Sequence, residues 1–182
     1  SFLEQNIRAL QFGNSLTEVE RIYCAENLIK SIKEIGQHFE VDFKSLGFSF
    51  GARGKAGSVA HYEDSLKVLA FNRNRDGALI HELGHAVDYA LGKVSSNMPY
   101  GIRRKYEQKL RDSKNEFILA FLPYYMKPTE IFARMFEKYC MDLELNDFAL
   151  TKGDFIVLPD LNDEDTRAWF LDAIKTIRKE TK

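Results

Sequence analysis

Apolar residues recur along this chain in two rhythms, and the switch between them divides it. Val19, Ile22, Leu28, Ile29, Ile32 and Ile35 follow a helical repeat. Thr17 and Glu20 precede them at capping-box spacing, where each side chain satisfies an orphan backbone N–H near the other residue. Gly36 is the expected stop. The N-terminal region, residues 1–45, therefore reads as helical and structural.

From Leu46 the period shortens. Phe48 and Phe50 alternate with small residues, and Gly51, Gly54 and Gly57 are expected turn positions. No helix directly follows these glycines, so they are not a phosphate-binding fingerprint. Segments 59–62 and 67–71 are strand-like around Glu63-Asp64-Ser65, the pattern of a hairpin. Asp76 is the expected cap of a helix running to about Leu91 and stopping at Gly92. Residues 93–122 read as a loop and then a helix over 102–110. Pro128 and Thr129 open another helix to about Asp142. Segment 155–158 is strand-like. Asn162-Asp163-Glu164 starts the last helix, with Ala168, Trp169, Ala173, Ile174 and Ile177 as its expected buried stripe. The pattern predicts a helix-rich α+β fold with a small sheet. It forms a single domain over 1–182: a helical N-terminal region (residues 1–45), a core (46–142), and a C-terminal loop and helix (143–182).

Composition narrows this reading only slightly. With 182 residues, 45% hydrophobic, the chain can bury a core. Its 26 Lys and Arg against 27 Asp and Glu leave a net charge of −1, which exerts no general pull on nucleic acid or anionic membrane. The basic cluster Arg103, Arg104, Lys105, Lys109, Arg111 and Lys114 is interleaved with Glu107 and Asp112 and reads as a solvated helix face. No apolar run approaches the roughly 20 residues of a membrane span. Cys24 and Cys140 sit in helical apolar patterns, as reduced core cysteines do. No basic-then-apolar leader opens the sequence, so a cytoplasmic location is expected, and Ser1 in first place suits a piece of a longer protein.

The candidate chemistry lies in His81-Glu82-Leu83-Gly84-His85. Histidines at i and i+4 leave a helix on one face, so both imidazoles can reach one ion, and Glu82 stands beside the first without occupying the metal. This H-E-x-x-H spacing is the signature of zinc hydrolases. Catalytic zinc usually takes three protein ligands and keeps one position for water. The extended metzincin pattern puts a third histidine at position 91, where this chain has Leu91, so that subclass is excluded. His38 and His61 lie outside helical motifs. In the helix opened by Pro128, Phe132, Met135, Phe136, Tyr139 and Cys140 form one side, and Glu130, Ala133, Arg134 and Glu137 the other. That charged stripe reads either as a solvent face or as the source of the third ligand.

Residues 46–91, from Leu46-Gly47-Phe48 through His81-Glu82-Leu83-Gly84-His85-Ala86-Val87-Asp88, resemble the metallopeptidase-like domain of large polyvalent proteins of phages and integrating mobile elements. Tyr124-Tyr125-Met126-Lys127-Pro128-Thr129-Glu130 through Glu137 is similar to that family's second hallmark. More distantly, both blocks resemble the gluzincin catalytic domain of anthrax lethal factor. The resemblance covers roughly half the chain. It implies a zincin-like fold, a Zn2+ cofactor, Glu130 as the third ligand and a polypeptide substrate.

On that implication Glu82 serves as general base and then general acid. Tyr125, with Tyr124 next, is the expected donor to the oxyanion. Asp88 is expected to support a ligand imidazole directly or through Arg134, with Glu137 in the same network. An edge of the 59–71 hairpin is the expected docking strand for substrate. The alternative expectation is a retired zinc module that binds protein or DNA within a mobile-element protein, since both readings keep the same ligands.

Overall fold

The structure is a computed structural model and describes residues 1–53, 59–72, 77–145, 149 and 157–180. Helix α1 (Phe2–Asn6) leads into strand β1 (Ala9–Phe12), so the N-terminal region is not wholly helical. Four residues are too few to show a period, and β1 exists because β2 (Gly47–Phe50) offers a parallel partner, Leu10 opposite Phe48. At the end of this pair a Cβ on Gly13 would lie 2.1 Å from the Gly51 carbonyl oxygen. Only glycine lets the two backbones approach so closely.

The capping box forms as expected. Thr17 Oγ1 accepts the Glu20 N–H at 3.2 Å, and Glu20 accepts the Thr17 N–H at 2.8 Å. The helix it opens, α2 (Glu18–His38), buries Cys24, Leu28, Ser31, Ile32 and Ile35. Val19 and Ile22 are exposed, contrary to the expected stripe. The line through Cys24 and Leu28 continues N-terminally over Glu20 and Arg21, which leaves Val19 and Ile22 on another face. Gly36 does not stop the helix either. It takes no positive φ, and α2 runs through it.

β3 (Ala60–Glu63) and β4 (Val68–Phe71) form the expected antiparallel hairpin, with Tyr62 opposite Leu69. The sheet order is β1-β2-β4-β3, with β2 parallel to both β1 and β4. Its central strands, β2 and β4, are buried throughout. Helices α3 (Leu79–Ala90) and α7 (Pro128–Asp142) make the most extensive helix–helix contact, and α3 also packs on β3 and β4. Gly92, at φ +76, follows the end of α3 as expected.

Between these helices lie α4 (Tyr100–Asp112), α5 (Glu116–Ala120) and α6 (Leu122–Tyr125). The last two are too short to carry a periodic signal. α8 (Glu164–Ala173) starts where expected, with Asp163 as its cap, and Ile174 is buried as expected, but the other buried residues of this segment are Thr166 and Phe170. Ala168 is exposed, and Trp169 and Ala173 are half-buried. The cap turns the face of Thr166 inward, and Phe170 then meets Phe132 and Tyr139, each with ring centroids 5.7 Å apart. Gly54, Gly57, Asp76 and residues 155–156 lie outside the described residues, and 157–158 are irregular.

The result is an α+β fold whose core gathers Phe39, Phe48, Phe50, Phe71, Phe132 and Phe136 between sheet and helices. Cys24 and Cys140 are buried free thiols. Among the described residues no helix is long and apolar enough to cross a membrane.

Candidate metal centre

The site is built where α3 crosses α7. A Cβ on Gly84 would lie 2.8 Å from the Ala133 Cα and 3.2 Å from the Ala133 Cβ, so two minimal residues let the helices nearly touch. That contact sets the ligand faces against each other: His81 and His85 lie one residue or one turn from Gly84, and Glu130 lies one turn before Ala133. Four apolar residues of α3, Leu79, Ile80, Leu83 and Val87, bury the rest of the helix and fix its rotation.

His81 Nε2 stands 3.3 Å from Glu130 Oε2, and His85 Nε2 stands 3.2 Å from Glu130 Oε1. The two imidazoles are nearly perpendicular, with centroids 5.0 Å apart. One donor atom from each of the three residues lies within 4.8 Å of the others. Despite its short contact, Glu130 Oε2 is buried without a hydrogen bond of acceptable geometry. In a tetrahedral zinc site with bonds of about 2.0–2.1 Å, neighbouring donors stand about 3.3 Å apart. The donor types, and the spacing of the two imidazoles from Glu130, therefore suit a metal ion such as zinc.

Glu137, also on α7, is 1% exposed and places Oε2 3.5 Å from His81 Nδ1, on the side of the ring away from Glu130. Arg134 Nη2 lies 3.7 Å from Glu130 Oε2, with its guanidinium over the Tyr125 ring at 4.8 Å. The charged stripe of α7 is thus a buried face, because α3 covers it. Burial alone would push the His81 imidazole down. Contacts with Glu130 and Glu137, and the charges of Glu130 and Glu82, outweigh it and hold the group up at about 9. Burial would raise Glu130, but both imidazoles overcome it and hold its carboxyl well below the usual range.

Glu82 is 6% exposed. Its burial pushes the carboxyl up against the opposing pull of His81 and His85, and Glu130 adds to the rise. Tyr124 is 44% exposed. Its partial burial and the Glu130 charge raise its phenol. Tyr125, the first expectation for the donor, instead gives its ring to Arg134.

Asp88 departs from the expected role. Its carboxylate does not support His85 or Arg134 but accepts from Ser95, from the backbone N–H at 2.9 Å and from the hydroxyl at 2.6 Å. Helical spacing puts Asp88 near the ligand face, but Lys93, at φ +58, reverses the chain and brings Ser95 onto it. His38 and His61 stand outside the triad. His61 is held by Glu63 at 3.2 Å on β3.

Tyr106 was not anticipated. Its buried hydroxyl donates to the Val157 carbonyl at 2.8 Å, and it feels the charges of Arg134, Glu130 and Glu137. Its place in the Ile102–Tyr106–Leu110 stripe was the available signal. Comparison with family models, curated proteins and solved structures finds no match to this chain.

Proposed function

We propose that this chain is a zinc-dependent metallopeptidase of the gluzincin type, zincin-like in fold. The observation that carries the reading is the convergence of two imidazoles and the Glu130 carboxylate on one buried point, with a second carboxylate, Glu82, beside it. His81, His85 and Glu130 are the ligands, and Glu137 orients His81 through Nδ1. When bound, zinc supplies Lewis acidity toward an amide carbonyl and lets water ionise near pH 7.

The chain's own groups do the rest. Glu82, with its carboxyl raised by burial, is suited to take a proton from attacking water and return it to the leaving amine. Tyr124, kept protonated by the same surroundings, is the donor available to a developing oxyanion. β3, the sheet-edge strand packed on α3, is the element along which an extended substrate lies.

Substitution Glu82→Gln tests the assignment. Metal analysis is expected to find zinc retained at the wild-type level, while hydrolysis of a mixed peptide library falls by at least about 100-fold. Cleavage undiminished in that variant removes Glu82 from the mechanism. Zinc retention with no cleavage by the unaltered chain would make it a binding module instead.

A further inference from the structure

The basic side chains of α4 are not equivalent. Lys105 is held by Asp163 and Asp165 at 2.8 and 2.9 Å, and Arg111 is engaged by Glu107 at 2.7 Å. Among the described residues, neither Arg103 nor Arg104 meets an acidic group within ion-pair distance. Both lean instead on the Tyr100 ring, at 5.8 and 5.9 Å from its centroid. Arg103 Nε is buried with no hydrogen-bond partner, which leaves a desolvated donor unsatisfied.

Those three residues form one wall of a cavity of about 330 Å³. Leu122 and Pro123 of α6, with Met126 just beyond, form its apolar floor. Exposed rings extend the apolar surface nearby: Tyr100 on α4 and Phe117 and Phe121 on and after α5, which packs on α4.

We propose that this pocket binds a carboxylate carried on an apolar polypeptide segment, that is, an Asp or Glu side chain flanked by apolar residues. A planar guanidinium pairs with a carboxylate through two parallel hydrogen bonds, and Arg103 and Arg104 bring two guanidiniums to the cavity lining. The apolar floor and exposed rings receive the flanking residues. Glu107 lines the same cavity and repels a phosphodiester backbone, whose charges follow one another closely, whereas a single carboxylate avoids it. The volume is at the small end for ligand sites and suits a side chain rather than a large cofactor.

The pocket adjoins the metal centre through α6, since Leu122 and Pro123 line the pocket and α6 packs on α7, which carries Glu130. On the peptidase reading it therefore holds an acidic residue of the substrate on the α6 side of the metal centre. Binding itself needs no metal, so it can be measured separately from cleavage.

The experiment is fluorescence anisotropy on the full chain, before and after chelator treatment. The probes are a labelled peptide alternating Phe and Leu with Glu and Asp, the same peptide with Gln and Asn, and a short oligothymidylate. The acidic peptide is expected to bind with or without metal, and the amide peptide about tenfold more weakly or worse. Arg103→Ala is expected to erase that preference. Arg104→Glu, at an exposed position, is expected to erase it too while the melting temperature stays unchanged. The proposal is overturned by equal binding of the two peptides, by no binding of the acidic one, by tighter binding of the oligothymidylate, or by undiminished preference in Arg104→Glu.

Discussion

At the α3–α7 crossing Glu82, Glu130 and Glu137 are buried and His81, His85 and Arg134 partly so, whereas Lys105 meets Asp163 and Asp165 at the surface. The surface cluster closes tight hydrogen bonds of 2.8–2.9 Å and caps a helix. In the buried cluster the ion-pair N···O distances are 3.2–3.7 Å, and Glu130 Oε2 is left without a hydrogen bond. Taking ions out of water costs several kcal/mol each unless geometry and hydrogen bonding are excellent. A cluster kept for stability would close its contacts. On the proposed reading this one instead surrounds the point that a metal would take.

The hardest test of that contrast is Glu130→Ala. It removes one donor and is expected to weaken zinc binding by more than about 100-fold, beyond the loss usual for a supporting residue. Competition against a chromophoric chelator measures it, and unchanged affinity would leave the inner cluster no different in kind from the outer one. Gly84→Ala should act less directly. Its new methyl meets the Ala133 backbone, so the helices must separate, costing about 1–3 kcal/mol by overpacking. A lower Tm together with weaker zinc binding is the expected pair. A lower Tm with full zinc affinity would show that helix spacing does not set the ligand geometry.

These two regions also differ in how far the sequence discloses them. Local rules reach His81, Glu82 and His85, the capping box at Thr17 and the helix start at Asn162-Asp163-Glu164, because each depends on residues within one helical turn. The partners of those residues are another matter. Glu137 is read in sequence as part of a charged stripe and is 1% exposed in the fold, because burial depends on α3 lying across it. The partner of Asp88 is fixed by a chain reversal at Lys93, which no helical spacing reveals. β1 is likewise invisible alone, since its pairing comes from β2, far along the chain.

A gentler test uses protons. In the metal-free protein His81 is held up at about 9, against an ordinary value of 6.5. A raised imidazole stabilises the fold fully below pH 6.5, and that contribution is lost as pH rises through 9. The Tm of metal-free protein is therefore expected to fall across this window, and that of zinc-loaded protein to stay flatter, because metal binding has already displaced the proton. Calorimetry in buffers of different ionisation enthalpy should find about one proton released per zinc bound at pH 7. Equal slopes for both forms would detach the imidazole from the metal.

The smallest effect is expected at the outer cluster. Lys105, with the Thr166 hydroxyl and N–H, holds Asp163 at about 2, below its ordinary 3.8. A depressed carboxyl contributes stability above pH 3.8, and that contribution is lost as pH falls toward 2. Asp163→Asn keeps a good helix cap but removes the charge facing Lys105, so its Tm should sit slightly below wild type at neutral pH. The gap should close as the wild-type carboxylate protonates, and shrink in high salt. Zinc affinity should not move at all. Were this surface substitution to weaken the metal as Glu130→Ala does, the two clusters would be one coupled network, and the distances that separate them would have misled.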